Sequence, residues 1–163
     1  ASTGRSSGIE LEQSYLLLPQ LRLSGALGLL STHVDAYTFE TAAGTSAILG
    51  DRATAHAPSY TAQLAADYAA PNGLFARLEI TASDAFFHSD SHDQKSDAYQ
   101  LFHGRLGYKR GPLTIALWGR NLLDERYAVR GFFFRLAPPN YADTLYESYG
   151  DPRQLGLSVA AAF

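Results

Sequence analysis

The run Gln154-Leu-Gly-Leu-Ser-Val-Ala-Ala-Ala-Phe163 decides the fold of this chain. Its larger apolar side chains alternate with small or polar ones, and a period of two is typical of a β-strand with one apolar face. The run stops on an aromatic residue, whereas the termini of soluble domains usually fray into water. The pattern therefore favours a strand of a transmembrane β-barrel, with Phe163 at the membrane interface.

Six other stretches alternate in the same way. The predicted strands cover residues 8–16, 21–32, 59–68, 74–83, 98–108, 113–127 and 154–163. Their connections alternate between short turns near Pro19, Pro71 and Gly111 and long loops around residues 44, 90 and 139. Short periplasmic turns and long extracellular loops are typical of outer-membrane barrels, so the sequence predicts an all-β, antiparallel transmembrane β-barrel architecture.

The number of predicted strands matters because bacterial single-chain barrels use even numbers and because unpaired strand edges cannot face lipid. About seven strands cannot close a barrel by themselves. We therefore expect this chain to be part of a larger barrel. An eighth strand within residues 39–49 would instead allow a complete small barrel.

Composition excludes several functional classes. The net charge is -3, which provides no basic surface for nucleic acid. The mean hydropathy is -0.13, and no apolar run approaches the roughly 20 residues that a membrane helix needs. In a barrel only alternate residues face lipid, so a neutral average is compatible with a membrane location.

Cysteine and methionine are both absent. Without cysteine, neither a disulfide framework nor a thiolate metal site can form. Without methionine, residue 1 is not a translation start. We expect either a removed signal peptide or, preferably, a piece of a longer chain.

Two motifs resemble a known family. Trp118-Gly-Arg-Asn-Leu-Leu-Asp-Glu-Arg-Tyr127, followed by a long loop and Tyr149-Gly-Asp-Pro-Arg-Gln-Leu-Gly156, resembles the C-terminal end of a TonB-dependent outer-membrane receptor. Arg5-Ser-Ser-Gly-Ile-Glu-Leu-Glu12 resembles a strand opening in the same barrels. The resemblance implies that residues 1–163 are the C-terminal portion of a barrel of about 22 strands, which an N-terminal plug fills. No stretch here resembles that plug.

The resemblance also implies a function and partners. The family imports scarce ligands across the outer membrane of Gram-negative bacteria, and a ferric siderophore is the commonest ligand, ahead of cobalamin or an oligosaccharide. The implied partners are outer-membrane lipid, the remaining barrel and plug, the TonB complex acting through the plug, and the small-molecule ligand. The terminal strand and Phe163 would be read by the barrel assembly machinery. No cofactor is implied.

One face of the predicted strands carries charges of both signs. In a barrel this face is a polar lumen, in which cross-strand pairs hold register and contact the plug; in a soluble protein it would be the solvated face. The predicted lumen network consists of Glu10, Glu12, Arg22, Asp67, Arg77, Glu79, Arg105 and Arg120.

Aromatic residues recur on the opposite, apolar face. They end several strands near the short turns, as half of an interfacial aromatic girdle would. The predicted girdle and assembly signal consist of Tyr15, Tyr68, Tyr108 and Phe163.

The long loops hold the candidate ligand contacts. Histidine and carboxylate are metal-ligand types, but His88 and His92 share a face only on a helix and here lie in a predicted loop, so we predict no metal site. Adjacent phenylalanines either pack onto the barrel rim or form an aromatic platform for a flat ligand. The candidate contacts are His88, His92, Phe132, Phe133, Phe134 and Tyr141.

No catalytic motif is present. The sequence contains no Gly-x-Ser-x-Gly elbow, phosphate-binding glycine loop or His-Glu-x-x-His helix, so we predict that the chain is not an enzyme. Two alternatives stay open. One is a complete small outer-membrane barrel with a structural or adhesive role, and the other is a soluble β-barrel that binds an apolar ligand inside.

Overall fold

The computed structural model describes residues 3–40 and 46–162. Its main feature is a seven-stranded antiparallel sheet in the order β1-β2-β5-β6-β7-β8-β11. The strands of this sheet are β1 (Gly4–Leu18), β2 (Leu21–Val34), β5 (Tyr60–Ala69), β6 (Leu74–Ser83), β7 (Tyr99–Arg110), β8 (Leu113–Arg120) and β11 (Gln154–Ala161). The predicted all-β fold and the seven predicted strands are confirmed.

Two small hairpins lie outside this sheet. They are formed by β3 (Tyr37–Glu40) with β4 (Ser46–Leu49) and by β9 (Ala128–Phe134) with β10 (Thr144–Tyr149). The sequence predicted loops at both places and an optional eighth barrel strand within residues 39–49. The prediction of an eighth barrel strand is wrong, because β3 and β4 pair with each other and not with the seven-stranded sheet. Strands of four residues are too short for alternation to reveal them.

Strand β8 is shorter than predicted. It ends at Arg120 instead of continuing to residue 127. The next residue, Asn121, adopts a positive φ of 46°, which breaks the extended backbone, and asparagine tolerates this left-handed conformation better than most residues. The segment that follows is therefore a loop that leads into the β9–β10 hairpin.

The short turns lie together at one end of the sheet, as predicted. Gly73 shows the constraint there, because its φ is 96° and an added Cβ would lie 2.1 Å from the carbonyl oxygen of Lys109. Only glycine fits both the dihedral angle and this close approach. The three long connections lie at the opposite end, between β2 and β5, between β6 and β7, and between β8 and β11.

The register places all eight predicted charged residues on one face. Cross-strand partners share a face, and one row runs from Arg22 through Asp67, Arg77 and Arg105 to Trp118. Neighbouring rows pair Glu12 with Ala26 and Glu79 with His103. The charges that are scattered along the sequence are therefore gathered on one surface of the sheet.

The other face is apolar and largely exposed. Leu64, for example, is 58% exposed in the middle of the sheet. The same face also exposes Ile9, Leu11, Leu78, Leu106, Leu117, Leu155, Leu157 and Val159. Soluble monomers rarely expose contiguous apolar patches of more than a few hundred Å². Among the described residues only Ala65, Phe86, Leu101, Ala116 and Ala128 form a buried apolar core, so the sheet is covered by little of its own chain.

Three tyrosines on the apolar face follow an inclined line across the sheet. Tyr15 aligns through Leu23 with Ala66, two residues before Tyr68. Tyr68 aligns through Ala76 with Leu106, two residues before Tyr108. Each step along this line moves two residues, about 6.8 Å, along the strands and two strand spacings, about 9.6 Å, across them. The line is therefore inclined by about 35° from the direction perpendicular to the strands. Strands of membrane barrels tilt from the barrel axis by roughly 35–45°. In strands with that tilt, the line of tyrosines would lie level with the membrane plane. Phe163, the fourth predicted member, lies outside the described residues.

Within the described part of the chain, no helix is both long enough and apolar enough to cross a bilayer.

Candidate functional site

Three members of the predicted charged network form a connected ion cluster. Arg77 donates from Nη1 to Oδ2 of Asp67 at 2.6 Å and from Nη2 to Oε2 of Glu79 at 2.5 Å. Asp67 lies directly across from Arg77, whereas Glu79 lies two residues along the same strand. One guanidinium therefore bridges two carboxylates and ties β5 to β6.

The other five members have no ion-pair partner among residues 3–40 and 46–162. The guanidinium of Arg105 lies over the ring of Phe75 at 5.7 Å, and that of Arg120 lies over Trp118 at 5.8 Å. Both belong to an open groove of about 640 Å³, which Arg77, Glu79, His103, Trp118 and Ser158 also line. Arg22, Glu10 and Glu12 lie outside this groove.

The loop of residues 84–98 connects β6 to β7 at the long-loop end. His88 in this loop is only 3% exposed and contacts Glu147 of β10 through Nε2 at 3.2 Å. Its Nδ1 is buried without a hydrogen-bond partner. A Cβ on Gly131 of β9 would lie 2.5 Å from the imidazole. His88 therefore fills the space that this glycine leaves on the hairpin.

His92 makes the second contact between this loop and the hairpin. Its ring stacks on Phe133 with centroids 3.6 Å apart, and its Nε2 lies 3.1 Å from Oδ2 of Asp143. Its Nδ1 lies 3.1 Å from the hydroxyl oxygen of Ser89. Both candidate histidines are thus engaged by residues of the 84–98 loop and the β9–β10 hairpin.

The three adjacent phenylalanines point to different faces of the hairpin. Phe133 faces His92, whereas Phe132 and Phe134 stack on each other on the opposite face with centroids 6.0 Å apart. Phe132 and Phe134 are 38% and 47% exposed. The guanidinium of Arg130 lies 4.6 Å from the ring of Phe132. Tyr141, between the two strands, is exposed and adopts a positive φ of 48°.

A further arginine joins two long loops, and the sequence did not reveal it. Arg52 donates to Asp93 at 2.7 Å and to the carbonyl oxygen of Ser89 at 3.0 Å, and its guanidinium lies over Phe87. Asp143 and Glu147, the acidic partners of the two histidines, were also missed. No local spacing marks these residues, because 37 to 59 positions separate the hydrogen-bonded partners in the chain.

Asn121 and Asp124 hold the end of strand β8 in place. The Asn121 side chain is 2% exposed; its amide nitrogen donates to the carbonyl oxygens of Glu125 and Asp151, and its oxygen accepts from the Glu125 amide. Asp124 accepts a hydrogen bond from the backbone amide of Arg153 at 2.8 Å. Asn121 and Asp124 thus organise the end of β8 through side-chain to backbone hydrogen bonds, and these bonds fix where β11 begins.

One carboxylate at the loop end has a shifted pKa. The Ser59 hydroxyl and the backbone amide of Ala85 donate to Asp84, just after β6 ends. These hydrogen bonds, with that of Ser59 first, stabilise the ionised form and lower the pKa of Asp84 below its ordinary value.

Metal-ligating residues do not converge in the described ranges. Among residues 3–40 and 46–162, no group of three or more His, Asp or Glu side chains is arranged to hold a metal ion.

Comparisons with known proteins agree with this architecture. No family model matches the chain. The solved structure of the ferric yersiniabactin uptake receptor FyuA from Yersinia pestis matches with a TM-score of 0.80 and 16% identity, over 100% of this chain and 24% of the receptor. The siderophore receptor PiuA from Acinetobacter baumannii matches with a TM-score of 0.77 and 16% identity, over 97% of this chain and 22% of the receptor.

A third structure is more distant. The ferric-catecholate import receptor Fiu from E. coli K12 matches with a TM-score of 0.52 and 15% identity, over 98% of this chain and 28% of the receptor. The chain thus spans about a quarter of the length of these proteins. All three are named as receptors and none as an enzyme. The predicted resemblance is confirmed at the level of the fold: the chain has the fold of part of a siderophore-receptor β-barrel, in which seven antiparallel strands form one sector of the wall.

Proposed function

We propose that this chain is part of the β-barrel of a TonB-dependent receptor in a Gram-negative outer membrane, which imports a ferric siderophore. The observation that carries the proposal is the sheet with one exposed apolar face and one charged face. Lipid would cover the apolar face, and a polar lumen would lie along the charged face. The names of the three structurally similar receptors support an iron chelate as the ligand.

The open sheet supports a larger barrel. In the described chain, β1 and β11 each have one neighbour in the sheet, so their outer edges are unpaired. Unpaired backbone groups are costly in lipid, so further strands must complete the wall. We assign residues 1–163 to the C-terminal portion of that barrel, on the resemblance of the 118–127 and 149–156 motifs. A plug domain and the TonB complex acting on it would be partners, as would the assembly machinery.

The exposed aromatic residues of the β9–β10 region are the proposed ligand contacts. Phe132, Phe134 and Tyr141 offer free ring surface, and Arg130 adds a positive charge beside Phe132. Rings and guanidinium groups suit a flat, negatively charged chelate. His88, His92 and Phe133 would act behind them, because they hold the hairpin against the 84–98 loop.

Two measurements test this function. The first is the intact mass of the native protein extracted from outer membranes, compared with the 17.7 kDa of this chain. A mass several times larger supports a plugged receptor, whereas a mass of 17.7 kDa identifies a complete small barrel and removes the basis for import. The second is uptake of ⁵⁵Fe-loaded siderophores by cells with and without the gene. Equal uptake of hydroxamate, catecholate and mixed chelates by both cell types would contradict the iron ligand.

A further inference from the structure

The β9–β10 hairpin has two chemically different faces. Cross-strand partners share a face, so Gly131 and Glu147 lie on one side, together with Phe133 and Leu145. We call this side the acidic face. The other side, which we call the aromatic face, carries Arg130, Phe132, Phe134, Thr144, Tyr146 and Ser148.

The acidic face is covered by the 84–98 loop. The buried ring of His88 contacts the carboxylate of Glu147. His92 contacts Asp143, the residue just before β10. Glu147 and Asp143 are the two acidic residues of the hairpin and its connecting turn. Both carboxylates are therefore held by histidines on the covered side of the hairpin.

The aromatic face is open to solvent. The ring centroids of Phe132 and Phe134 are 6.0 Å apart, and those of Phe134 and Tyr146 are 6.2 Å apart. All three rings are exposed, and the guanidinium of Arg130 lies 4.6 Å from the ring of Phe132. Among residues 128–149, all of which the structure describes, this face combines three rings with one positive charge and presents no carboxylate.

The base of the hairpin lies over the charged face of the sheet. The ring of Tyr127, just before β9, lies 4.5 Å from the ring of Tyr99. Tyr99 pairs with Ser83, which is four residues along β6 from Glu79 and therefore on the same face. The hairpin thus begins on the inner side of the proposed barrel wall, where the mouth of the lumen would be.

We propose that the aromatic face binds an anionic ferric chelate whose donor groups are aromatic, and that His88 and His92 make it selective by holding Glu147 and Asp143 on the opposite face. This rests on the proposed function, since it takes the chain as part of a receptor for iron chelates. Catecholate groups bring both rings and negative charge, which suit stacked side chains and a guanidinium. Hydroxamate groups together cancel the charge of Fe³⁺ and carry no ring. A carboxylate beside the ligand would repel an anionic chelate, so its place on the covered face favours the anion.

The test measures equilibrium binding of three ⁵⁵Fe-labelled probes to the full-length receptor in detergent micelles. The probes are a ferric tris-catecholate, ferric citrate, which is anionic without rings, and a ferric trihydroxamate, which is uncharged without rings. We expect the tris-catecholate to bind roughly tenfold more tightly than the trihydroxamate, with citrate between them. Equal affinity for the tris-catecholate and the trihydroxamate would overturn the inference and leave an import receptor of another specificity. Binding of none of the probes would instead count against the proposed function itself.

Variants of the aromatic face separate charge from ring stacking. Arg130→Gln should weaken both anionic probes roughly fivefold and leave the trihydroxamate unchanged. Its matched control is Arg153→Gln, another exposed arginine of the long-loop end, which should change none of the three affinities. The double variant F132L/F134L keeps an apolar surface without rings and should weaken only the tris-catecholate. An unchanged affinity for that probe in both aromatic-face variants would place the binding elsewhere.

The positioning role of His88 is tested through the same affinities. His88→Ala should reduce the preference for the tris-catecholate, and His88→Gln, whose amide can donate to Glu147, should restore most of it. Asn121→Ala is the control for lost stability, since it acts at the end of β8 away from this face. In the F132L/F134L background, His88→Ala should have no further effect if it acts through the rings. An equal loss in both backgrounds, or an equal loss in Asn121→Ala, would refute the positioning role.

Discussion

The imidazole of His92 lies flat on the ring of Phe133, with an interplanar angle of 3° and 3.6 Å between the ring centroids. The two residues are 41 positions apart, and their stacking joins the 84–98 loop to the β9–β10 hairpin. Together with the His88–Glu147 contact, it makes these two segments one layer at the long-loop end.

Removing this stacked pair should loosen that layer. We expect His92→Ala to lower the local protection of residues 128–134 by about 1 kcal/mol, the usual value of an aromatic pair. Hydrogen exchange of the protein in detergent micelles, read by mass spectrometry, measures this. Tyr141→Ala is the control, because no aromatic partner of Tyr141 is present in the described chain. Equal protection in His92→Ala and wild type would show that the stacking does not hold the hairpin.

Gly131→Ala should separate the hairpin from His88. The added Cβ would lie 2.5 Å from the buried imidazole, so either the ring or β9 must move. Overpacking of this kind costs about 1–3 kcal/mol. The control is Gly25→Ala, where the nearest atom to the added Cβ is 3.5 Å away. Urea unfolding should distinguish the two variants, and matching midpoints would contradict the tight packing at Gly131.

Asn121→Ala should destabilise the junction between β8 and β11. It removes the partner of two carbonyl oxygens and one amide, and each buried polar group left without a partner costs about 1–3 kcal/mol. Alanine is also less suited to the positive φ at this position. The loss of stability is measured by thermal unfolding of the purified protein. Leu123→Ala, at an exposed neighbouring position, is the control. A midpoint unchanged from that control would remove the proposed role of Asn121.

Adjacent residues on β5 test the lipid-facing assignment. Leu64 lies on the apolar face and Gln63 on the charged face. Leu64→Arg should reduce folding into bilayers by about 2–4 kcal/mol, the cost of arginine near the bilayer midplane, whereas Gln63→Arg should be tolerated. Folding yield into lipid vesicles compares them. A larger loss for Gln63→Arg would mean that the two faces are assigned the wrong way round.

Asp84 should give the loop end a pH dependence. Because its pKa is lowered in the folded state, its contribution is present above the unfolded pKa of about 4 and is lost as pH falls through the folded pKa. Protection of residues 84–98 should therefore decrease on acidification below about pH 4. Ser59→Ala removes the hydrogen bond that contributes most to the lowered pKa of Asp84. The loss of protection should then begin at a higher pH. An identical acid profile in the two proteins would argue against the Ser59 hydrogen bond.

The local sequence pattern was enough to predict most strands of the sheet. Side chains alternate strictly across a strand, so the runs around Leu64 and Leu78 identify both the strands and their faces without knowledge of their neighbours. The turn could be predicted from local sequence as well, because Pro71-Asn72-Gly73 has few conformations other than a turn. The charged network on one face followed from the same alternation, although its pairing did not.

The long-loop end could not be predicted in this way. The hairpin β9–β10 breaks alternation with its adjacent phenylalanines, and its partners lie far away in the chain. Arg77 could have paired with several carboxylates, and the strand register decides that Asp67 lies directly across from it. The sequence by itself determined the strands, their two faces and the positions of the turns, because these depend on neighbours within a few residues. Only the tertiary structure decided which loops pack together and which charges stay unpaired, because those contacts depend on distances between segments that are remote in sequence.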